Sequence, residues 1–279
     1  MSHRKLSIII LLLFLYIIFL IIMDVNSKIK IMCIGDSITF GDRMPGSYRK
    51  FLYNNLITKG YKIKMVGAKD KKIEKYYPNE NSSEFFEYED DNSGFSAYSI
   101  CEYENRKGLL EILKQNKCLK LNPDIIILLI GTNNAMDNYD FDITIKNFNS
   151  LIDYMLNNIG KDTIIFVATI PDMDPNTERV YTWFHNYRTD NISDDEVKIN
   201  VNNYVKKYNN KIKEIIGDYR NKNNKNYNIT IEDLNPVVKD VDNLMFDGVH
   251  PNNQGYKKMA DFWTNIVEIY INEKFNIKF

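Results

Sequence analysis

The segment Lys28–Thr39 reads Lys-Ile-Lys-Ile-Met-Cys-Ile-Gly-Asp-Ser-Ile-Thr, and its reading decides the fold. Lys28–Ile34 is an apolar, β-prone run that stops at Gly35, and the residues after Gly35 turn toward a helix. The Ser37 hydroxyl therefore emerges where a strand gives way to a helix, the edge at which open α/β sheets build their sites. A helix N-terminus leaves main-chain donors unpaired, so the Ser37 N–H can point at a developing negative charge. Taken alone, Gly35-Asp36-Ser37 fits an ordinary turn followed by a helix cap equally well.

Working outward, four more apolar runs bounded by turn residues predict strands at Lys62–Val66, Asp124–Ile130, Thr163–Thr169 and Asn228–Glu232. Between and after them, Tyr48–Thr58, Phe141–Asn158, Ile199–Ile216 and Asn253–Asn272 carry apolar residues at intervals of three and four, the helical period. Strands alternating with helices predict a single-domain, three-layer α/β/α sandwich around a central parallel five-stranded sheet. Ile125–Ile130 is apolar without interruption, so that strand is expected at the centre with both faces covered. Ala68–Asn92 and Pro171–Ser193 lack periodicity and are expected to loop over the C-terminal edge of the sheet. The second carries Tyr181, Trp183, Phe184 and Tyr187.

The chain has 279 residues, 44% of them hydrophobic and 26% charged, enough for one domain with a sizeable core. Lysine and arginine number 36 against 37 for aspartate and glutamate, a net charge of -1. No overall field draws the protein to nucleic acid, which is not an expected partner.

His3, Arg4 and Lys5 precede the apolar run Ile8–Met23 and the polar stretch Asp24–Ser27. That is the pattern of an export signal, and the run is slightly shorter than the roughly 20 residues of a spanning helix. Residues 1–27 are expected to be a signal peptide and residues 28–279 the working domain of a secreted protein. An uncleaved anchor over residues 8–23 is the alternative, and the one route to membrane contact. Export implies an oxidising compartment, in which Cys101 and Cys118 could bridge while Cys33, inside a strand, is read as a buried thiol. Asn81, Asn191 and Asn228 head Asn-x-Ser/Thr sequons.

Far from Ser37 in sequence, Asp247-Gly248-Val249-His250-Pro251 sets a carboxylate three residues before an imidazole. A sharp turn at Gly248 can bring Asp247 to His250 Nδ1 and leave Nε2 free to take a proton from a serine. Of the three histidines, His3 lies in the export segment and His185 has no comparable acid beside it in sequence. A capping aspartate before a core histidine is the plainer alternative. Asn133, after the central strand, and Gly94, in Ser93-Gly94-Phe95, offer an amide and a main-chain N–H of the kind that stabilises a tetrahedral oxyanion. Each also fits ordinary turn chemistry.

In order and spacing these four elements resemble the SGNH/GDSL hydrolases, from about Lys28 to Phe275. The resemblance implies a flavodoxin-like sheet and a serine esterase without metal or organic cofactor. It assigns Ser37 as nucleophile, His250 as base, Asp247 as its orienting acid, and Ser37, Gly94 and Asn133 as oxyanion donors. Asn134 stands where the family motif has Asp, a departure that touches local hydrogen bonding. Gly46-Ser47-Tyr48-Arg49-Lys50-Phe51-Leu52, Ser93-Gly94-Phe95 and the run Asp247–Asp261 are similar to motifs of the third carbohydrate-esterase family, which includes acetyl xylan esterases. Phe95 replaces a tryptophan there, and Pro171–Ser193 is longer than usual. This closer resemblance implies an acetylated polysaccharide such as xylan as partner and substrate. Two rivals remain: a lipase-like hydrolase of lipid or small esters, and a non-catalytic glycan-binding protein using the aromatic loops. The intact Ser37, Asp247 and His250 weigh against the second rival.

Overall fold

The computed structural model describes residues 28–68, 91–104, 106–180, 194–221 and 227–275. Residues 1–27, expected to be an export segment, with His3 and the run 8–23, lie outside them. So do His185, the sequons at Asn81 and Asn191, most of Ala68–Asn92 and all of 181–193.

Six parallel strands form one sheet: β1 (Ile29–Gly35), β2 (Ile63–Met65), β3 (Ser93–Gly94), β4 (Ile125–Leu129), β5 (Ile164–Ala168) and β6 (Ile229–Glu232). The strand order is β2-β1-β4-β5-β6, with β3 paired to β1 beyond the end of β2. All five expected strands form, each within about a residue of its expected limits. The expectation of five is corrected to six, because β3 is two residues long and has no periodicity to reveal it. β4 lies mid-sheet and is buried along its whole length, as an uninterrupted Ile-Ile-Ile-Leu-Leu run requires.

The helices in chain order are α1 (Ser37–Phe40), α2 (Ser47–Thr58), α3 (Leu109–Asn116), α4 (Thr132–Met136), α5 (Phe141–Asn158), α6 (Asp194–Asn221), α7 (Val241–Leu244) and α8 (Asn253–Phe275). α2 packs on α8, while α5 packs against both α3 and α6, which gives the helical layers around the sheet. Phe148 on α5 meets Tyr208 on α6 edge to face, and Trp263 on α8, fully buried, meets Phe166 of β5. Such aromatic contacts add about 0.5–1.5 kcal/mol each beyond the area they bury. Among the described residues no helix is long and apolar enough to cross a membrane.

Cys33, Cys101 and Cys118 are all free and buried, which corrects the suggested Cys101–Cys118 bridge. Burial pushes the Cys33 and Cys101 thiols up to about 12, so neither is a ready nucleophile. Asn228, the one sequon residue described, is half-buried directly before β6, and its carbonyl accepts from Ile165 N–H at 2.9 Å.

Candidate active site

β1 delivers Ser37 to the C-terminal edge of the sheet through a turn that Asp36 stabilises. The Asp36 carboxylate caps α1 by accepting from Ile38 N–H at 3.1 Å. At the other end of this short helix, the fully buried Arg49 donates to the carbonyls of Thr39 at 2.8 Å and Phe40 at 3.0 Å. α1 is thus held at both ends by charged side chains, although four residues could not sustain a helix unaided.

His250 and Asp247 reach the same edge from the opposite end of the chain, on the turn between α7 and α8. His250 Nε2 lies 2.8 Å from Ser37 Oγ, and His250 Nδ1 lies 3.0 Å from both oxygens of Asp247. Asp247 Oδ1 also accepts from the main-chain N–H of His250 at 2.9 Å and of Val249 at 3.2 Å, which fixes the carboxylate to its own turn. Gly248 is needed there: its φ of +81° is left-handed, and a Cβ would fall 2.1 Å from Thr177 Oγ1. Ser37 and His250 are both buried, so the pair is shielded from water on most sides.

Charge around the pair is uneven. Burial alone would raise the Asp247 carboxyl. It is overcome by the hydrogen bond and charge of His250, by the His250 main-chain N–H and by the charge of Arg179, which together hold Asp247 well below the usual carboxylate range. Arg179 Nη1 stands 3.0 Å from Asp247 Oδ2, and Arg43 Nε 3.6 Å from the same oxygen. Asp36 behaves oppositely. Burial pushes it up to about 6, assisted by the Asp42 charge and resisted by Ile38 N–H and His250.

Gly94 arrives on β3 and Asn133 on the helix that follows β4, the strands on either side of β1. Gly94 pairs with Gly35 across β3 and β1, and Phe95 N–H donates to Gly35 O at 2.9 Å. A Cβ at position 94 would come within 2.4 Å of Phe40 N, so the absence of a side chain lets β3 press against α1. The Gly94 N–H donates to Asn92 Oδ1 at 2.9 Å, so an oxyanion would have to share or displace that acceptor. Asn133, buried on α4 just past β4, donates one amide hydrogen to Tyr98 O at 2.8 Å, and its amide has a second hydrogen to give. Asn134, in the place of the family's Asp, accepts from Ile100 N–H at 3.1 Å, while its buried Nδ2 has no partner among the described residues. α4 is braced where it ends: the buried Arg106 guanidinium binds Asp137 through Nε and through Nη2, the latter at 2.8 Å, and donates to Ala97 O at 3.1 Å.

The fold thus brings Ser37, His250 and Asp247 into one hydrogen-bonded chain, with Gly94 on β3 and Asn133 on α4 at the same edge of the sheet. Sequence reasoning missed Arg43, Arg179 and Asp42, whose Oδ2 is 4.0 Å from His250 Nε2. Arg43 and Asp42 sit close behind the Gly35-Asp36-Ser37 turn, and that proximity was the available signal. Arg179 carries none, since only folding brings residue 179 beside residue 247. Among the described residues no group of three or more His, Cys, Asp and Glu side chains is arranged to hold a metal ion.

Comparison with known proteins agrees with this architecture. A "Multidomain esterase" of Ruminococcus flavefaciens is 33% identical over 250 residues, covering 87% of this chain, and the chain spans 29% of that curated relative's length. Among solved structures, a family 3 carbohydrate esterase of Clostridium thermocellum superposes with a TM-score of 0.58 at 25% identity, over 87% of this chain and 97% of that one. A family 3 carbohydrate esterase from Talaromyces cellulolyticus gives 0.58 at 16% identity over 88% and 99%, which shows a shared fold. The GDSL-like lipase/acylhydrolase family matches residues 31–263, and the chain belongs to that family.

Proposed function

We infer that the protein is an exported serine esterase that removes acyl groups, chiefly acetyl, from the hydroxyls of a plant polysaccharide such as xylan. The observation that carries the reading is the hydrogen-bonded chain from Asp247 through His250 to Ser37. His250 Nε2 takes the Ser37 proton as Oγ attacks the ester carbonyl, and the carbonyl π electrons move onto oxygen. Ser37 N–H, the Asn133 amide and Gly94 N–H stabilise that oxyanion, the last once Asn92 shares or yields it. The intermediate collapses, the C–O bond to the alcohol breaks, and His250 returns the proton to the departing oxygen. Water then attacks the acyl-Ser37 ester, with His250 again taking and returning a proton, and the carboxylic acid leaves.

Support for a carbohydrate ester comes from the Clostridium thermocellum relative and from the Arg49 and Asp247–Asp261 motifs. Support for export comes from the basic residues and the apolar run Ile8–Met23, with residues 28–279 as the esterase domain. The test is release of acetate from acetylated xylan and other acetylated polysaccharides, set against free fatty acid released from long-chain esters. Preferential acetate release is expected. Preference for long acyl chains would replace this reading with a lipase-like one, and no turnover of any ester would overturn it.

A further inference from the structure

Asp42 is a second carboxylate beside the catalytic imidazole, distinct from the acid that orients it. Its main-chain N–H donates to the carbonyl of Ser37 itself at 3.1 Å, so the residue is tied to the nucleophile's own turn. Ser96, two residues beyond Gly94, donates its hydroxyl to Asp42 Oδ2 at 2.5 Å. That bond spans from the end of α1 to the end of β3, and it holds the carboxylate beside the imidazole. Asp42 Oδ2 is 4.0 Å from His250 Nε2, too far for a hydrogen bond, and Nε2 is already engaged by Ser37 Oγ at 2.8 Å. Asp42 therefore does not duplicate Asp247. Its side chain is 22% exposed, and a carboxylate offers about four lone-pair sites, of which Ser96 uses one.

During acyl transfer, His250 Nε2 hands its proton to the departing alcohol oxygen, which must then lie within about 2.6–3.2 Å of that nitrogen. A substituent on the carbon adjacent to the one that bears that oxygen can then reach the Asp42 carboxylate, whose Oδ2 is 4.0 Å from Nε2. If the substituent is a hydroxyl, it can donate to the carboxylate. An alkyl or ether group there would instead strip water from a charge and give nothing in return. The chemistry at this position suits an alcohol with a free neighbouring hydroxyl, as on a partly acetylated sugar ring.

We propose that Asp42 is a specificity-determining residue that accepts a hydrogen bond from the hydroxyl adjacent to the scissile ester, selecting vicinal-diol monoesters over capped or simple alcohols. The proposal rests on the reading of the protein as a sugar-ester esterase and names the group that would enforce it.

The experiment compares kcat/KM for two probes, a monoacetylated methyl xyloside with the neighbouring hydroxyl free and the same compound with that hydroxyl O-methylated. 4-Nitrophenyl acetate serves as a measure of general activity, and each variant's melting temperature is recorded. The ratio of the two sugar rates cancels any general loss of turnover. Wild-type protein should prefer the free hydroxyl by about 10–100-fold, the range for a hydrogen bond to a charged group. Asp42→Ala should bring the ratio close to one. Asp42→Asn, which keeps an acceptor without the charge and preserves the side chain's shape, should fall between them. An undiminished ratio in both folded variants would overturn the role of Asp42 and leave the sugar-ester reading standing. A wild-type protein that turns over 4-nitrophenyl acetate but neither sugar acetate would overturn both.

Discussion

Arg179 Nη1 lies 3.0 Å from Asp247 Oδ2, an oxygen that also faces His250 Nδ1, so the carboxylate at the end of the hydrogen-bonded chain from Ser37 is clamped from outside its own turn. The residues just before Arg179 lie against that turn as well: Asp174 N–H donates to Gly248 O at 2.8 Å, and Thr177 Oγ1 to Asp247 O at 3.3 Å. A carboxylate held low in the folded chain contributes stability that is present above its unfolded value and is lost as pH falls through the folded one. Arg179→Met removes one of the charges holding Asp247 down. The acid loss of stability should therefore begin at the same pH as in the wild type but be smaller and be complete at a higher pH. At neutral pH the variant should lose about 1 kcal/mol, which lowers Tm by about 2–4 °C for a domain of this size. Thermal melts from pH 1 to pH 8 check both, and superimposable profiles would remove Arg179 from the clamp.

Asp36 has the opposite sign. Its carboxyl is raised to about 6, mainly by burial, so the folded chain holds that proton more tightly than the unfolded chain does. Its contribution is accordingly greatest at low pH and declines as pH rises from about 4 through about 6. Asp36→Asn keeps an oxygen to cap Ile38 N–H but carries no charge. Relative to wild type, the variant should gain roughly 1–3 kcal/mol between pH 4 and pH 7, measured by urea unfolding across that range. A stability difference that does not change with pH would contradict the buried, raised carboxyl.

Asn133→Ala should reduce kcat far more than substrate affinity. A ground-state ester carbonyl asks little of the Asn133 amide, whereas the tetrahedral oxyanion carries the charge that the amide stabilises. Loss of one such donor costs about 10²–10³-fold in kcat, with residual rate left to the remaining donors. The amide also donates to Tyr98 O, so Tm must accompany the kinetics. A folded variant with unchanged kcat would remove Asn133 from the site.

The parts of the fold and site that were legible in the sequence are those that leave a local pattern. Lys28–Ile34 and Ile125–Ile130 announce buried strands because both faces need apolar side chains, and the helix Phe141–Asn158 is recovered to the residue because its apolar stripe repeats at the helical period. Ser37, Asp247 and His250 were legible because each sits in a turn with its own spacing signal. β3, α1 and α4 are too short to show a period and exist because neighbours hold them: Gly35 pairs β3, Arg49 caps α1, and Asp137 at the end of α4 is bound by Arg106. Whether Cys101 and Cys118 bridge was not legible, because sequence separation carries no geometry, and the structure leaves both free. The contacts of Asp247 with Arg179 and of Asp42 with Ser96 join residues far apart in the chain, and only the folded sheet edge brings them together.

The central claim is that Ser37 carries the acyl group, and the most direct measurement is turnover of 4-nitrophenyl acetate by Ser37→Ala beside the wild type. The side chain is small and buried, so the variant should fold with a Tm within a few degrees of the wild type. Its kcat should fall by about 10³-fold or more, because loss of the nucleophile removes the covalent step that the rest of the chain serves. A folded Ser37→Ala protein that turns the ester over within about tenfold of wild type would contradict the account.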